Sequence, residues 1–255
     1  MHQKQISVVI PCFNEGKTIR QNIQKIHAYL SNNFDTFEII AVNDGSLDNT
    51  FSELQAAEKD LSLNIINNEK NAGKGKAVRD GVLASQYEIV MFLDADLAIP
   101  IESLPAFIAE IDNGYDLVIA SRFIPGIKVL RPVLWYRKIM EKIFRILRMA
   151  ILNNWSIKDT QCGFKVFRQS TAKRIFGMAT INRFAFDSEI IFIAKKFGYS
   201  IRELPITLQN PPQSSVRILF DPLNMFFSLF KIRLNDLKGI YPWKQNPNTG
   251  KVRGI

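Results

Sequence analysis

The chain has 255 residues, 47% of them hydrophobic, and a formal net charge of +9; that is enough apolar chain for one large α/β domain, with a charge that admits phosphorylated substrates, anionic lipid or nucleic acid. Two widely separated cysteines, Cys12 and Cys162, exclude a disulfide framework and a cysteine-based metal site and fit a reducing compartment. No apolar stretch approaches the roughly 18 uncharged residues of a membrane-spanning helix, and the polar start at Met1 does not read as a signal peptide.

Residues 6–10 form a β-branched run and read as the first strand. A loop over 11–16 follows, then helical spacing at Ile19, Ile23, Ile26 and Leu30. A second strand over 38–42 closes on Asn43-Asp44-Gly45-Ser46, and Asp48 or Asn49 is placed to cap the next helix, which runs to about residue 60. The third strand, 63–67, leads into Asn71-Ala72-Gly73-Lys74-Gly75-Lys76, helix resumes over 77–84, and strand 88–93 delivers Asp94-Ala95-Asp96. This alternation predicts a doubly wound, mostly parallel α/β sheet with helices on both faces.

Further along, the pattern predicts a strand over 116–120 ending at Ser121-Arg122, an amphipathic helix over 133–152 and a strand over 164–167. An apolar helix over 190–197, preceded by Asp187 and Glu189, a strand over 200–208 and a second amphipathic helix over 220–238 complete the elements. Residues 1–215 are expected to form the α/β domain, 216–243 interfacial helices and 244–255 a disordered tail. Between Arg122 and Arg148 eight basic residues stand against Glu141 alone. A polar face of Arg137, Lys138, Lys142, Arg145 and Arg148 suits a helix lying in an anionic membrane surface. Packing of its apolar face on the core is the plain alternative.

In open α/β sheets, ligands bind outside the carboxyl ends of the strands. Alternate residues of an extended chain point the same way, so Asp94 and Asp96 can face one ligand. Adjacent carboxylates repel unless a cation sits between them, and hard divalent ions share oxygen ligands with substrate phosphates. The pair is therefore a candidate metal–diphosphate site, against the plain alternative of an acidic turn. Asp44 offers an acceptor to a base N–H or ribose hydroxyl, and Gly73 and Gly75 permit close backbone approach to phosphate. The spacings of a P-loop and of a dinucleotide fold are absent. No Cys/His finger, aromatic RNA-binding signature or internal repeat occurs, so nucleic acid is not expected as a partner.

In order, Val9-Ile10-Pro11-Cys12-Phe13-Asn14-Glu15, Val42-Asn43-Asp44-Gly45-Ser46, Asn71-Ala72-Gly73-Lys74-Gly75 and Asp94-Ala95-Asp96 resemble the motifs of inverting GT-A glycosyltransferases. Asp159-Thr160-Gln161-Cys162-Gly163-Phe164-Lys165 and Phe184-Ala185-Phe186-Asp187-Ser188-Glu189 are similar to those of dolichyl-phosphate β-glucosyltransferases and their prokaryotic polyprenyl-phosphate relatives. The resemblance spans residues 6–243. It implies a GT-A fold and Mg²⁺- or Mn²⁺-dependent, inverting transfer of a hexose, glucose foremost, from a UDP-sugar to a polyprenyl phosphate. The protein would act peripherally at the cytoplasmic face of a membrane, with a membrane-protein partner or homo-oligomer left open.

By that resemblance Pro11 and Phe13 shape the nucleotide pocket, Glu15 and Asp44 hold base and ribose, and Gly73, Gly75 and Ala95 line it. Asp94 meets ribose or diphosphate, and Asp96 ligates the metal beside Asp94. Arg122 is assigned to a substrate phosphate and Asp187 to positioning sugar or acceptor. Relatives carry Ser-Lys or Ser-Arg where this chain has Ser214-Ser215, so Arg217 becomes the candidate diphosphate cation. Ala98 stands where dolichyl-phosphate mannosyltransferases place Gln, and fits the glucosyltransferase branch. Two alternatives stand beside this: transfer to a saccharide or protein hydroxyl, with Asp187 as base, and a non-catalytic regulatory protein that binds nucleotide sugar.

Overall fold

Strand β1 (Gln5–Cys12) buries Ile6, Val8, Val9 and Ile10 on both its faces, as a central parallel strand must. The computed structural model describes residues 4–126, 128–129, 135–208 and 220–242, with side chains over 4–126, 139–206 and 223–242. After β1 come α1 (Ile19–Asn33), β2 (Thr36–Asp44), α2 (Thr50–Glu58), β3 (Asn64–Asn68), α3 (Lys74–Ala84), β4 (Ile89–Leu93), α4 (Leu104–Asp112) and β5 (Leu117–Ser121). Then follow β6 (Lys128–Val129), α5 (Trp135–Ile151), β7 (Phe164–Arg168), α6 (Gln169–Met178), α7 (Phe186–Lys196), β8 (Ile201–Pro205), β9 (Thr207–Leu208) and α8 (Phe220–Leu237).

Seven strands make one sheet in the order β3-β2-β1-β4-β7-β5-β8, while β6 pairs with β9 apart from it. In that sheet β7 runs antiparallel to β4 and β5, and the other neighbours are parallel. Strand alternation sends Val8 and Ile10 to one face, against α1 and α4, and Val9 to the other, against α3. On that second face Phe92 is ringed by Phe167, Phe176 and Phe186 at centroid distances of 6.1, 6.3 and 5.8 Å. Leu229 and Ile232 of α8, and Tyr241 beyond it, complete the second core.

The doubly wound α/β expectation holds, with differences at the ends of elements. Pro11 and Cys12 extend β1 and Asn43 and Asp44 extend β2, because Cys12 pairs with Asn43 and Asp44 with Asn68. Helix α3 starts at Lys74, immediately after Gly73 at φ +106°, so Gly75 and Lys76 are helical rather than loop. Helix α7 starts at Phe186 and takes Asp187 and Glu189 into its first turn. The strand expected over 200–208 breaks after Pro205, which has no N–H to continue a ladder. Residues 133–134, 209–219 and 244–255 lie outside the described residues.

Candidate active site

Because β1, β2 and β4 are parallel neighbours, their C-terminal ends open onto one edge of the sheet. Pro11 lies near the end of β1, exposed Phe13 and half-buried Glu15 follow it, Asp44 ends β2, and Asp94-Ala95-Asp96 follow β4. The acidic turn is pinned by Asp94 N donating to Gly163 O (3.1 Å), Asn22 Nδ2 of α1 to Ala95 O (2.8 Å) and Ala98 N to Asp96 Oδ1 (3.0 Å). Asn14 ties the loops after β1 and β2 together: its N donates to Ser46 Oγ (3.0 Å) and its Oδ1 accepts from Leu47 N (2.9 Å). Burial and the charges of Asp96, Asp94 and Asp48 raise the Glu15 carboxyl. Loss of water and the neighbouring Asp94 likewise raise Asp96.

One cation answers this negative mouth. Lys74 Nζ, from the first turn of α3, lies 2.5 Å from Asp94 Oδ1. Burial would lower the Lys74 ammonium, but Asp94, Asp187 and Asp96 outweigh it and hold its pKa above the ordinary value. The Lys74 ammonium is thus the direct partner of Asp94 Oδ1. Two carboxylates at one turn, the charge of Asp94 disfavouring ionisation of Asp96, with one lysine placed on Asp94, fit a hard divalent cation. Among the described residues no three His, Cys, Asp or Glu side chains converge as a metal cage, so phosphate oxygens or water would have to complete the ligand set.

Several assigned residues are occupied by the chain itself. Asp44 is buried, and its carboxylate accepts from Ala72 N (2.9 Å), Gly73 N (2.8 Å) and Asn71 Nδ2 (3.0 Å), fixing the loop before α3. A nucleotide contact there would use the remaining lone-pair direction. A Cβ on Gly73 would stand 2.5 Å from Asn182 O, and one on Gly75 2.6 Å from Ile181 O and from Phe186 Cβ. On their Cβ side these glycines are packed by residues 181–186.

Arg122 reaches the ligand edge, already paired with carboxylates of the chain. Its Nε and Nη2 donate to Asp159 Oδ2 and Oδ1 at 2.7 and 3.0 Å, its backbone N to Asp159 Oδ2 at 3.0 Å, and its Nη1 pairs with Glu141 at 2.9 Å. Two carboxylates therefore consume its charge. Asp187 is buried, with Lys165 Nζ 2.5 Å from its Oδ1 and 2.6 Å from Cys162 O. It also lies near enough to Lys74 to share that ammonium's charge with Asp94. Burial is the main cause that raises its carboxyl, with Lys165 and Lys74 opposing. Arg217 lies outside the described residues.

Sequence reasoning passed over Lys74, Lys165 and Gly163. A lysine in the apolar strand Phe164–Arg168 was the available signal for a buried ion pair. Gly163 lay inside the Asp159–Lys165 motif but was given no role there; its absent side chain makes room for the Asp94 carboxylate.

The profile of Glycosyl transferase family 2 matches residues 7–176, which hold every acidic and glycine-rich turn described above. The chain belongs to that family. The transferase is 32% identical over 254 residues to a dolichyl-phosphate beta-glucosyltransferase of Trichomonas vaginalis, covering 94% of this chain and 74% of that one. It is 31% identical over 257 residues to the dolichyl-phosphate beta-glucosyltransferase of Homo sapiens, covering 95% and 79%. In fold it is similar to glucosyl-3-phosphoglycerate synthase from Mycobacterium tuberculosis in complex with Mn²⁺ and uridine-diphosphate-glucose, with a TM-score of 0.65 and 19% identity over 91% of this chain and 78% of that one.

Beside the sheet edge the transferase carries a helix, α5, whose apolar residues are divided between core and surface, with Phe144 and Ile151 packed on the core. In α5, Glu141, Arg145 and Arg148 share one face by their i, i+4, i+7 spacing and point at the protein. Glu141 meets Arg122, Arg145 lies 4.2 Å over the Phe123 ring, and Arg148 Nη2 donates to Ile157 O at 2.9 Å. Arg148, counted above with the solvated basic face, is buried because that side of the helix faces the chain. Ile139, Ile143 and Ile146, on the opposite face, are 50%, 52% and 49% exposed. Helix α8, packed against α5, exposes Leu223, Phe227, Phe230 and Leu234. Among the described residues no helix is long and apolar enough to cross a membrane.

Proposed function

We propose that this glycosyltransferase moves a hexose, glucose foremost, from UDP-sugar to a polyprenyl phosphate, with inversion and with Mg²⁺ or Mn²⁺. It would act peripherally at the cytoplasmic face of a membrane, with 1–215 as catalytic domain and 216–243 as interfacial segment. The observation that carries the reading is the acidic turn at the end of β4, where Asp94 and Asp96 stand side by side and Lys74 pairs with Asp94. Relatives named for dolichyl phosphate, at about 31% identity over most of the chain, support the acceptor class. The Mn²⁺ and uridine-diphosphate-glucose bound by the structural neighbour support the donor and metal class.

Asp96 and Asp94 would hold the metal, which when bound supplies a Lewis acid that offsets charge on the departing diphosphate. Lys74 adds a fixed positive charge on the same side. Phe13 presents an exposed ring to a base, and Glu15 an acceptor to ribose. The acceptor side holds no freely exposed base in the expected place, since Asp187 is buried against Lys165. A phosphate acceptor, already ionised near neutral pH, needs none, whereas a hydroxyl must lose a proton as it attacks. The outward apolar faces of α5 and α8 support work at a lipid surface.

The test is product analysis by mass spectrometry after incubating purified protein with UDP- and GDP-hexoses and polyprenyl phosphate in detergent. A polyprenyl-phosphate hexose formed from UDP-glucose in the presence of Mn²⁺ is the expected result. Transfer only to saccharide or protein hydroxyls would overturn the acceptor, and binding without turnover would leave a regulatory protein.

A further inference from the structure

Away from the acidic mouth, a cleft of about 200 Å³ opens between residues 180–185 and α8. Its polar wall is made by Asn182, Arg183, Asn224, Ser228 and Lys231. Asn224, Ser228 and Lys231 form one stripe of α8 by their i, i+4, i+7 spacing, and the stripe next to it is the exposed apolar row Leu223, Phe227, Phe230 and Leu234. Arg183 and Lys231 are exposed, and neither is ion-paired with any acid among the described residues. The backbone at Asn182 accepts from Lys76 N (3.1 Å), and Asn182 O and Arg183 Cγ abut Gly73, so the wall of the cleft is seated on the start of α3.

We propose that this cleft holds the anionic headgroup of a bulk membrane phospholipid. Charge and shape both select that occupant. Two unpaired cations with amide and hydroxyl donors between them match a phosphodiester, and a tail leaving the cleft meets the exposed phenylalanines one stripe away. A soluble anion would find the same charges but leave those rings in water. The acceptor's phosphate is the rival occupant, and the vesicle arm of the test below separates the two. Bound this way, the headgroup fixes how α8 and α5 sit on the surface, and with them the direction in which the acidic mouth faces.

The inference shares its setting with the membrane reading above, so its test has a part that needs no membrane. Short-chain phosphatidylglycerol, below its micelle concentration, is titrated into the full chain by calorimetry, alongside short-chain phosphatidylcholine. The wild type should bind the anionic lipid selectively. Arg183→Gln/Lys231→Gln should bind it roughly 30-fold more weakly, taking about fivefold for each cation near a lipid phosphate, and Arg183→Lys/Lys231→Arg should restore most of the affinity. Unchanged binding in the Gln pair, or equal binding of the two lipids by wild type, overturns the cleft. A second part sediments the same proteins with phosphatidylcholine vesicles carrying either phosphatidylglycerol or polyprenyl phosphate. Loss confined to phosphatidylglycerol vesicles supports the assignment, and loss confined to polyprenyl-phosphate vesicles makes the cleft an acceptor site and overturns it. If wild type binds the soluble lipid but no vesicles, the membrane reading fails while the cleft stands.

Discussion

Gly163 lies so close beneath Asp94 that a Cβ built on it would stand 2.1 Å from Asp94 Oδ2. The same glycine accepts a hydrogen bond from Asp94 N through its carbonyl, at 3.1 Å. Strand β7 thereby sets where the carboxylate points. Gly163→Ala should push Asp94 off its position and lower kcat/KM at least roughly 100-fold, the scale of a misplacement of about 1 Å. Thermal unfolding should change little beside it, since the carboxylate can swing into the mouth. Steady-state kinetics and a melting curve on one preparation check this, and wild-type kinetics would show that the glycine is only a turn residue.

Asp96→Ala removes a hard-cation ligand while leaving β4 intact. Metal-dependent turnover should vanish, and Mn²⁺ binding by calorimetry should weaken with it. Full activity of this variant, or of wild type in excess EDTA, would sink the metal assignment.

The Lys165–Asp187 pair is fully enclosed, so its partners are expected to be far costlier to remove singly than together. Lys165→Met should lower unfolding free energy by about 3–5 kcal/mol, because Asp187 is left buried and unpaired, and Lys165→Met/Asp187→Leu should recover most of that. Urea titration measures both. Asp187→Asn, assayed well below its Tm, should lose less than the roughly 10²–10⁴-fold that removal of a general base costs. A larger loss rescued by azide or formate would make Asp187 the base.

Acid stability should report Arg122–Asp159. Burial pushes the Asp159 carboxyl up, but the charge of Arg122 and its hydrogen bonds outweigh that and hold it below the ordinary 3.8. A carboxyl depressed by folding adds stability above its unfolded pKa and loses it as pH falls through the folded value. The Tm gap between wild type and Asp159→Asn should therefore be full near neutral pH and shrink below pH 3.8. A gap independent of pH down to complete acid unfolding would refute the pairing.

Ile143→Glu/Ile146→Glu places charge on the outward face of α5, where both residues are about half exposed. Vesicle binding should fall by roughly tenfold or more, the loss of apolar burial in lipid outweighing any surface effect. The Tm should hold. An unchanged sedimentation profile with anionic vesicles would remove α5 from the interface.

Much of this protein was legible along the chain, because what repeats locally can be read locally. The β-branched runs of β1, β2 and β4 announced buried parallel strands, and their acidic ends followed from direction alone. The rhythm of strand and helix implied the doubly wound sheet, and the ordered turns implied the family. Tertiary structure decided everything that depends on which strand lies beside which. The reversal of β7 brings Gly163 and Lys165 under Asp94 and Asp187, although about 70 residues of chain separate Gly163 from Asp94. Arg122 could be placed at a strand end but not neutralised, since Asp159 and Glu141 reach it from elements whose packing no periodicity encodes. The period of α5 revealed two faces without saying which was inward. That choice was made by Arg122, Phe123 and the Ile157 carbonyl, which receive Glu141, Arg145 and Nη2 of Arg148, while Phe144 and Ile151 join the core and Ile139, Ile143 and Ile146 stay outside.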